Sequence, residues 1–82
     1  MKTVSVLIPA EVPNTDWVAN AVEVTLHQAL RNYFPFVHVK DGGEAGSFLV
    51  VADLSVPANP ALLPLVSNLV GERAHQLEIS FQ

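Results

Sequence analysis

The spacing of apolar residues predicts four β-strands. Apolar and polar residues alternate in "TVSVLI" at Thr3–Ile8, in "FVHVK" at Phe36–Lys40 and in "LEISF" at Leu77–Phe81. This period of two is typical of strands with one covered and one exposed face. The stretch "SFLVVADL" at Ser47–Leu54 is continuously apolar at its centre. That pattern indicates an inner strand with both faces at least partly covered.

A helix is predicted between the first two strands, over Thr15–Phe34. Its apolar residues fall on one stripe at helical spacing, namely Val18, Val22, Leu26, Ala29 and Tyr33. Asn14 or Thr15 is expected to cap the start, since both side chains can accept a hydrogen bond from a free backbone amide. Pro35 is expected to end the helix, because the residue before a proline avoids the α conformation.

A second helix is predicted between the last two strands. Asn59 is a favourable cap and Pro60 suits the first helical position. Apolar residues then recur at helical spacing up to Val70. Pro64 lacks an amide hydrogen, so either the first turn is irregular or the regular helix begins near this residue.

The predicted order of elements is β-α-β-β-α-β, with a turn at Asp41-Gly42-Gly43 joining the middle strands. Short connections and right-handed crossovers favour a ferredoxin-like α+β sandwich. In that fold two helices cover one face of a four-stranded antiparallel sheet. We expect the first and third strands to be central and the last strand to lie at an edge.

Chain length and composition restrict the class of protein. With 82 residues, we expect one domain over residues 1–82. Hydrophobic residues make up 50% and charged residues 15%, which argues against disorder. The net charge of −4 and four scattered cationic residues disfavour binding to nucleic acids or anionic membranes. The longest apolar run, "FLVVA", is too short to span a bilayer. We expect a cytoplasmic protein.

Catalytic motifs are missing from the sequence. Glu23, His27 and Arg31 have helical i, i+4 spacing, which is usual on a solvated helix face. The chain has no cysteine, no HExxH, no GxSxG and no phosphate-binding loop. Asp53 could serve as an acid at a strand end, but such residues are also common in turns. The third strand, within "EAGSFLVVAD", lacks the basic residue and stacking aromatics of an RNA-recognition motif. We therefore predict no catalytic residue, cofactor or metal ligand.

The sheet face turned away from the helices is the strongest candidate for a functional surface. We predict that protein-binding residues lie mainly on it, and we select Leu7, Trp17, Phe36, His38, Leu49 and Val51. Uncovered apolar side chains on a sheet indicate an interface, although isolated apolar residues are also normal on protein surfaces. Trp17 is alternatively a staple against the sheet rim or the loop at Val12.

Three functions are consistent with these features. The leading hypothesis is a non-enzymatic protein-interaction domain that forms a homodimer through the open sheet face or an edge strand. The second is an acidic viral or mobile-element accessory protein that binds a host complex. The third is a small-molecule-binding domain or minor enzyme, with a pocket between the loops Pro9–Asn14 and Val56–Pro60.

Overall fold

The chain folds as an α+β domain with a four-stranded antiparallel sheet. The computed structural model describes residues 3–33, 36–55, 64, 68 and 77–81. The elements in chain order are β1 (Thr3–Ile8), α1 (Thr15–Ala29), a 3₁₀ turn (Arg31–Tyr33), β2 (Phe36–Asp41), β3 (Phe48–Asp53) and β4 (Glu78–Phe81). Among the described residues, no helix is long and apolar enough to cross a membrane.

The strand order is β2-β3-β1-β4, and each neighbouring pair is antiparallel. β1 and β3 are therefore the inner strands and β4 lies at an edge, which confirms their predicted positions. The pairing is continuous along all six residues of β1 and β3, from Thr3 opposite Asp53 to Ile8 opposite Phe48. β2 pairs with the other side of β3, from Phe36 opposite Asp53 to Asp41 opposite Phe48.

Alternating residues of the strands build the core against α1. On β1 the side chains of Val4, Val6 and Ile8 are fully buried, and their partners on β3 face the same way. The helix contributes Val18, Ala19, Val22 and Leu26 to the same cluster. This spacing is that of the stripe predicted from the sequence, and it turns the helix stripe onto one sheet face.

The described residues contain one α-helix, whereas the sequence predicted two. Pro64 and Asn68 are described as helical and exposed. The rest of the predicted second helix, the loop Val56–Pro60 and His75 lie outside the described residues. The two-helix ferredoxin-like arrangement is thus established here only for its sheet and its first helix.

The ends of α1 differ from the prediction. The helix ends at Ala29 rather than Phe34, and the chain tightens into the 3₁₀ turn after Leu30, whose amide still donates to the carbonyl of Leu26 at 2.9 Å. A tighter last turn is a common way to satisfy free carbonyls. At the other end, Asn14 is the cap residue but makes no side-chain capping bond. It adopts a left-handed conformation with φ 55°, which asparagine tolerates better than most residues.

The turn between β2 and β3 is held by side-chain and backbone hydrogen bonds. The amide of Gly43 donates to Oδ1 of Asp41 at 3.0 Å, as expected for an aspartate at a turn. The buried Ser47 hydroxyl donates to the carbonyl of Glu44 at 2.8 Å and accepts from the amide of Glu44 at 3.1 Å. A backbone bond from Gly42 to Ser47 closes the loop at 3.2 Å.

Replacing Gly42 with alanine is expected to destabilise this turn. A Cβ atom at this position would lie 2.9 Å from the backbone nitrogen of Phe48 and would also meet the Ser47 side chain. Neither neighbour can move without loss, because Phe48 belongs to β3 and the Ser47 hydroxyl makes the hydrogen bonds that stabilise the turn. We expect Gly42→Ala to lower the free energy of unfolding by about 1–3 kcal/mol, measured by urea denaturation. Ala45→Ser, at an exposed position of the same turn, is the control and should change it by less than about 0.5 kcal/mol.

Candidate protein-binding face

The sheet face opposite α1 gathers most of the candidate residues. Residues that lie directly opposite each other on paired strands point to the same face, so the register assigns the side chains to faces. We define the open face by the described residues that point away from α1: Thr3, Ser5, Leu7, Phe36, His38, Lys40, Leu49, Val51, Asp53, Glu78 and Ser80. Five of the six predicted residues are on it.

The residues of the open face form three rows across the strands. The first row is Phe36, Asp53 and Thr3 on β2, β3 and β1. The second is His38, Val51, Ser5 and Ser80, and the third is Lys40, Leu49, Leu7 and Glu78. The third row therefore has two leucines at its centre, a cation at one edge and an anion at the other.

The apolar side chains of this face are exposed to different degrees. Phe36 is 72% exposed at a corner of the sheet, and Leu7 and Leu49 are partly buried. Val51 is only 6% exposed, although it is not part of the core cluster beneath α1. Its neighbours across the sheet, His38 and Ser5, flank it on both sides. Val51 is thus largely inaccessible to a partner, whereas the side chains of Phe36, Leu7 and Leu49 have exposed surface that a partner could contact.

His38 and Asp53 come together at the Phe36 corner of the open face. Nδ1 of His38 lies 3.9 Å from Oδ2 of Asp53, and the hydroxyl of Thr3 donates to Oδ1 of Asp53 at 3.4 Å. The first distance is too long for a hydrogen bond. Both side chains are well exposed, at 42% and 51%. Within the described residues no hydroxyl is hydrogen-bonded to His38.

Acidic side chains surround one end of the open face. Glu11, Glu44 and Glu78 line a cavity of about 430 Å³ whose other walls are Leu7, Pro9, Gly42 and Ser47. None of these three carboxylates has an ion-pair partner among the described residues. Lys40, at the β2 edge of the same row, likewise has none there. Lys40 and Glu78 are separated by the width of the sheet, about 14 Å between strands β2 and β4, so they do not reach each other within one chain.

Trp17 lies apart from the other candidate residues. It is in the first turn of α1, on the layer that covers the opposite sheet face, and its side chain is 66% exposed. A second cavity, of about 260 Å³, lies between α1 and the edge strand β2 and is lined by Glu23, Val24, His27, Gln28 and Val37. Glu23 and His27, predicted to share a helix face, therefore meet at this groove.

The described residues contain no group of three or more histidine, cysteine or acidic side chains placed to hold a metal ion. The three glutamates around the larger cavity do not form such a group.

Comparison of the chain with protein-family models, with curated proteins and with solved structures finds no match in any of the three. The function is therefore argued from the geometry of the chain itself.

Sequence reasoning did not select Lys40 and Glu78 as candidate residues of this face. The necessary signal was present, because both residues occupy the polar phase of an alternating strand, in "FVHVK" and in "LEISF". What was missing was the register, which places both residues in one row with Leu7 and Leu49. A shift of one residue in any pairing would have moved one of them to the other face.

Proposed function

We propose that this protein is a small protein-interaction domain that binds through its open face, with a homodimer as the simplest assembly. The observation that carries the proposal is the third row of that face. Leu7 and Leu49 lie side by side and partly exposed on the two inner strands, and the charged residues of this row, Lys40 and Glu78, are on the two edge strands. An apolar centre with a polar rim is the usual anatomy of a protein-binding surface.

The topology supports an open face that stays uncovered. β3 and β4 run parallel with β1 between them, and β1 and β2 run parallel with β3 between them. Crossovers between parallel strands are right-handed in about 98% of cases. In this strand order the crossover from β1 to β2 and the crossover from β3 to β4 are related by a pseudo-two-fold axis. Two such crossovers that are both right-handed pass over the same face of the sheet. The connection from β3 to β4 is therefore proposed to lie on the side of α1.

The two ends of that connection support the same conclusion. Leu54 follows β3 directly and Leu77 precedes β4 directly, and both are buried in the cluster beneath α1. The described residues at the two ends of the connection thus carry apolar side chains on the covered side of the sheet. Together with the strand order, these two leucines support the ferredoxin-like sandwich predicted from the sequence, with both helices on one face.

The size of the open face predicts a weak association. Four strands and six residues give a planar area of about 400 Å² per protomer, whereas stable interfaces bury about 800 Å² on each partner. The dissociation constant is therefore expected in the micromolar range or weaker. Small domains of this kind exchange partners readily, which suits a transient interaction module.

The proposal is tested by diluting the protein from about 1 mM to 10 μM while methyl resonances are recorded by NMR. Methyl signals of Leu7, Leu49 and Val51 are expected to shift with concentration, because association changes their surroundings. The methyl groups of Val24, exposed on α1, are the internal control and should stay constant. Sedimentation equilibrium over the same range gives the mass. A constant monomer mass at all concentrations would exclude the homodimer.

The edge strand β2 offers a second surface for the same function. Four of its six residues are exposed, and the groove between β2 and α1 adds the apolar side chains of Val24 and Val37. An exposed edge presents unpaired backbone groups that can add a strand from a partner. If association used this edge, the methyl shifts on dilution would appear at Val24, Val37 and Val39 and would be absent from Leu7.

The open-face geometry favours binding over catalysis. His38 and Asp53, the residues on which an enzyme hypothesis would rest, are separated by 3.9 Å and are both exposed. A binding role for an acidic accessory protein and a cytoplasmic location stay predictions from the sequence. Capture of a host complex would be an additional use of the same open face.

A further inference from the structure

The charges at the edges of the open face complement each other in one particular arrangement of two copies. In the third row, Lys40 occupies the β2 edge and Glu78 the β4 edge, with Leu49 and Leu7 between them. A rotation of 180° about an axis parallel to the strands keeps each row in place and reverses the order of the strands. The leucine pair at the centre of the row straddles that axis.

We infer that two copies of the chain pack face to face about such a two-fold axis, with Lys40 of each copy opposite Glu78 of its partner. This inference rests on the proposed function and specifies its partner and register. Leu49 of one copy then lies against Leu7 of the other, and the contact occurs twice because the interface is symmetric. Packed sheets lie about 10 Å apart, a gap that the long lysine and glutamate side chains bridge from the rim.

The remaining rows fit this arrangement. The second row brings His38 opposite Ser80 of the partner and Val51 opposite Ser5 of the partner. The first row brings Asp53 opposite Thr3 of the partner, a hydroxyl that already donates to this carboxylate within one chain. Within the described residues of the three rows, therefore, no two charges of like sign lie directly opposite each other.

The other in-plane two-fold axis, perpendicular to the strands, gives a poorer match. It exchanges the first row with the third, so that Leu49 would meet Asp53 of the partner and Lys40 would meet Phe36. A carboxylate would then be desolvated against a leucine without gaining a partner, which is unfavourable. Charge complementarity therefore selects the axis parallel to the strands.

The end of the open face at the third row is acidic, since Glu11 and Glu44 line the same cavity as Glu78 and Leu7. Because the axis keeps each row in place, it brings this acidic end of both copies together, where the two Lys40 side chains supply the positive charge. Lys40 is the one lysine or arginine on the open face among the described residues. Since each chain carries a net charge of −4, this contact also offsets part of the repulsion between copies.

Charge reversal tests the register. Lys40→Glu places two glutamates opposite each other on both sides of the axis, and Glu78→Lys places two lysines there. Each single variant is expected to dimerise about tenfold more weakly than the unaltered chain. An equimolar mixture of the two is expected to form a heterodimer at least as tight as the original homodimer, because both contacts are then attractive. The double variant K40E/E78K should regain the original affinity.

Matched variants separate this effect from net charge alone. Arg31→Glu and Asp16→Lys change the charge of the chain by the same amounts at exposed positions off the open face. Their mixture should show the affinity of the unaltered chain. Circular dichroism checks that every variant folds, and sedimentation velocity measures association.

The outcomes distinguish the register from the proposed function. If the charge variants leave dimerisation unchanged while substitution of Leu49 abolishes it, the register is wrong and the open face still binds. If Arg31→Glu alone and Asp16→Lys alone weaken dimerisation as much as Lys40→Glu alone and Glu78→Lys alone, the effect is one of net charge and the local contact is wrong. If the unaltered chain stays monomeric up to about 1 mM, beyond the micromolar range expected for a small interface, both proposals fail.

Discussion

Leu49→Asp is expected to leave the protein folded and monomeric at every accessible concentration. Leu49 is on the inner strand β3, in the third row of the open face, where it lies between Lys40 and Leu7. In the proposed dimer the introduced carboxylate would be buried against leucine, at a cost of about 2 kcal/mol per copy. Because the contact occurs twice, the total of about 4 kcal/mol weakens dimerisation by roughly 1,000-fold. Sedimentation equilibrium measures the change.

Two further variants make the result specific. Leu49→Thr introduces a polar group that is favourable in strands, so a loss of association cannot be attributed to a loss of sheet structure. Val24→Asp makes the same chemical change at a position that is 47% exposed on α1, away from the open face. The second variant should dimerise like the unaltered chain. Equal weakening by Val24→Asp and Leu49→Asp would contradict an interface on the open face.

The sheet and its faces could be predicted because alternation carries the necessary information. In β1 the alternation of Val4, Val6 and Ile8 with Thr3, Ser5 and Leu7 indicated the buried and open sides, and the burial along the strand follows it. The apolar centre of β3 indicated an inner strand, and Val50, Val51 and Ala52 are indeed buried. These signals are local, so one sequence suffices to show them.

Other features depended on contacts distant in sequence. The helix was predicted to run to Phe34 because Pro35 marks a boundary, but the chain leaves the α conformation after Ala29. Leu30, directly after the last helical residue, is fully buried, so packing in the core fixes the chain there rather than the proline. His38 and Asp53 are 15 positions apart in sequence and meet only through the pairing of β2 with β3. Similarly, Lys40 and Glu78 share the third row only because of three strand pairings, those of β2 with β3, β3 with β1 and β1 with β4.

Leu26→Ala is expected to cause the largest loss of stability. Leu26 has no solvent exposure and belongs, with Val4, Val6 and Val50, to the buried cluster that joins α1 to the sheet. The substitution leaves a cavity between α1 and the sheet, and the packed helix and strands can close it only partly. We therefore expect the free energy of unfolding to fall by about 3 kcal/mol. For a domain of this size that corresponds to a melting temperature lower by roughly 15 °C, measured by thermal and urea denaturation. Val24→Ala, on the same helix but exposed, is the control and should change stability by less than about 0.5 kcal/mol.

The Leu26 variant also separates folding from association. If the folded chain dimerises, the unfolding midpoint rises with protein concentration, because mass action favours the associated state. Leu26→Ala should lower the midpoint at every concentration and keep this dependence, since the open face lies on the other side of the sheet. Leu49→Asp should abolish the dependence and leave the midpoint near the value extrapolated to low concentration. A Leu26→Ala protein that folds but shows no concentration dependence would mean that α1, rather than the open face, makes the contact between copies.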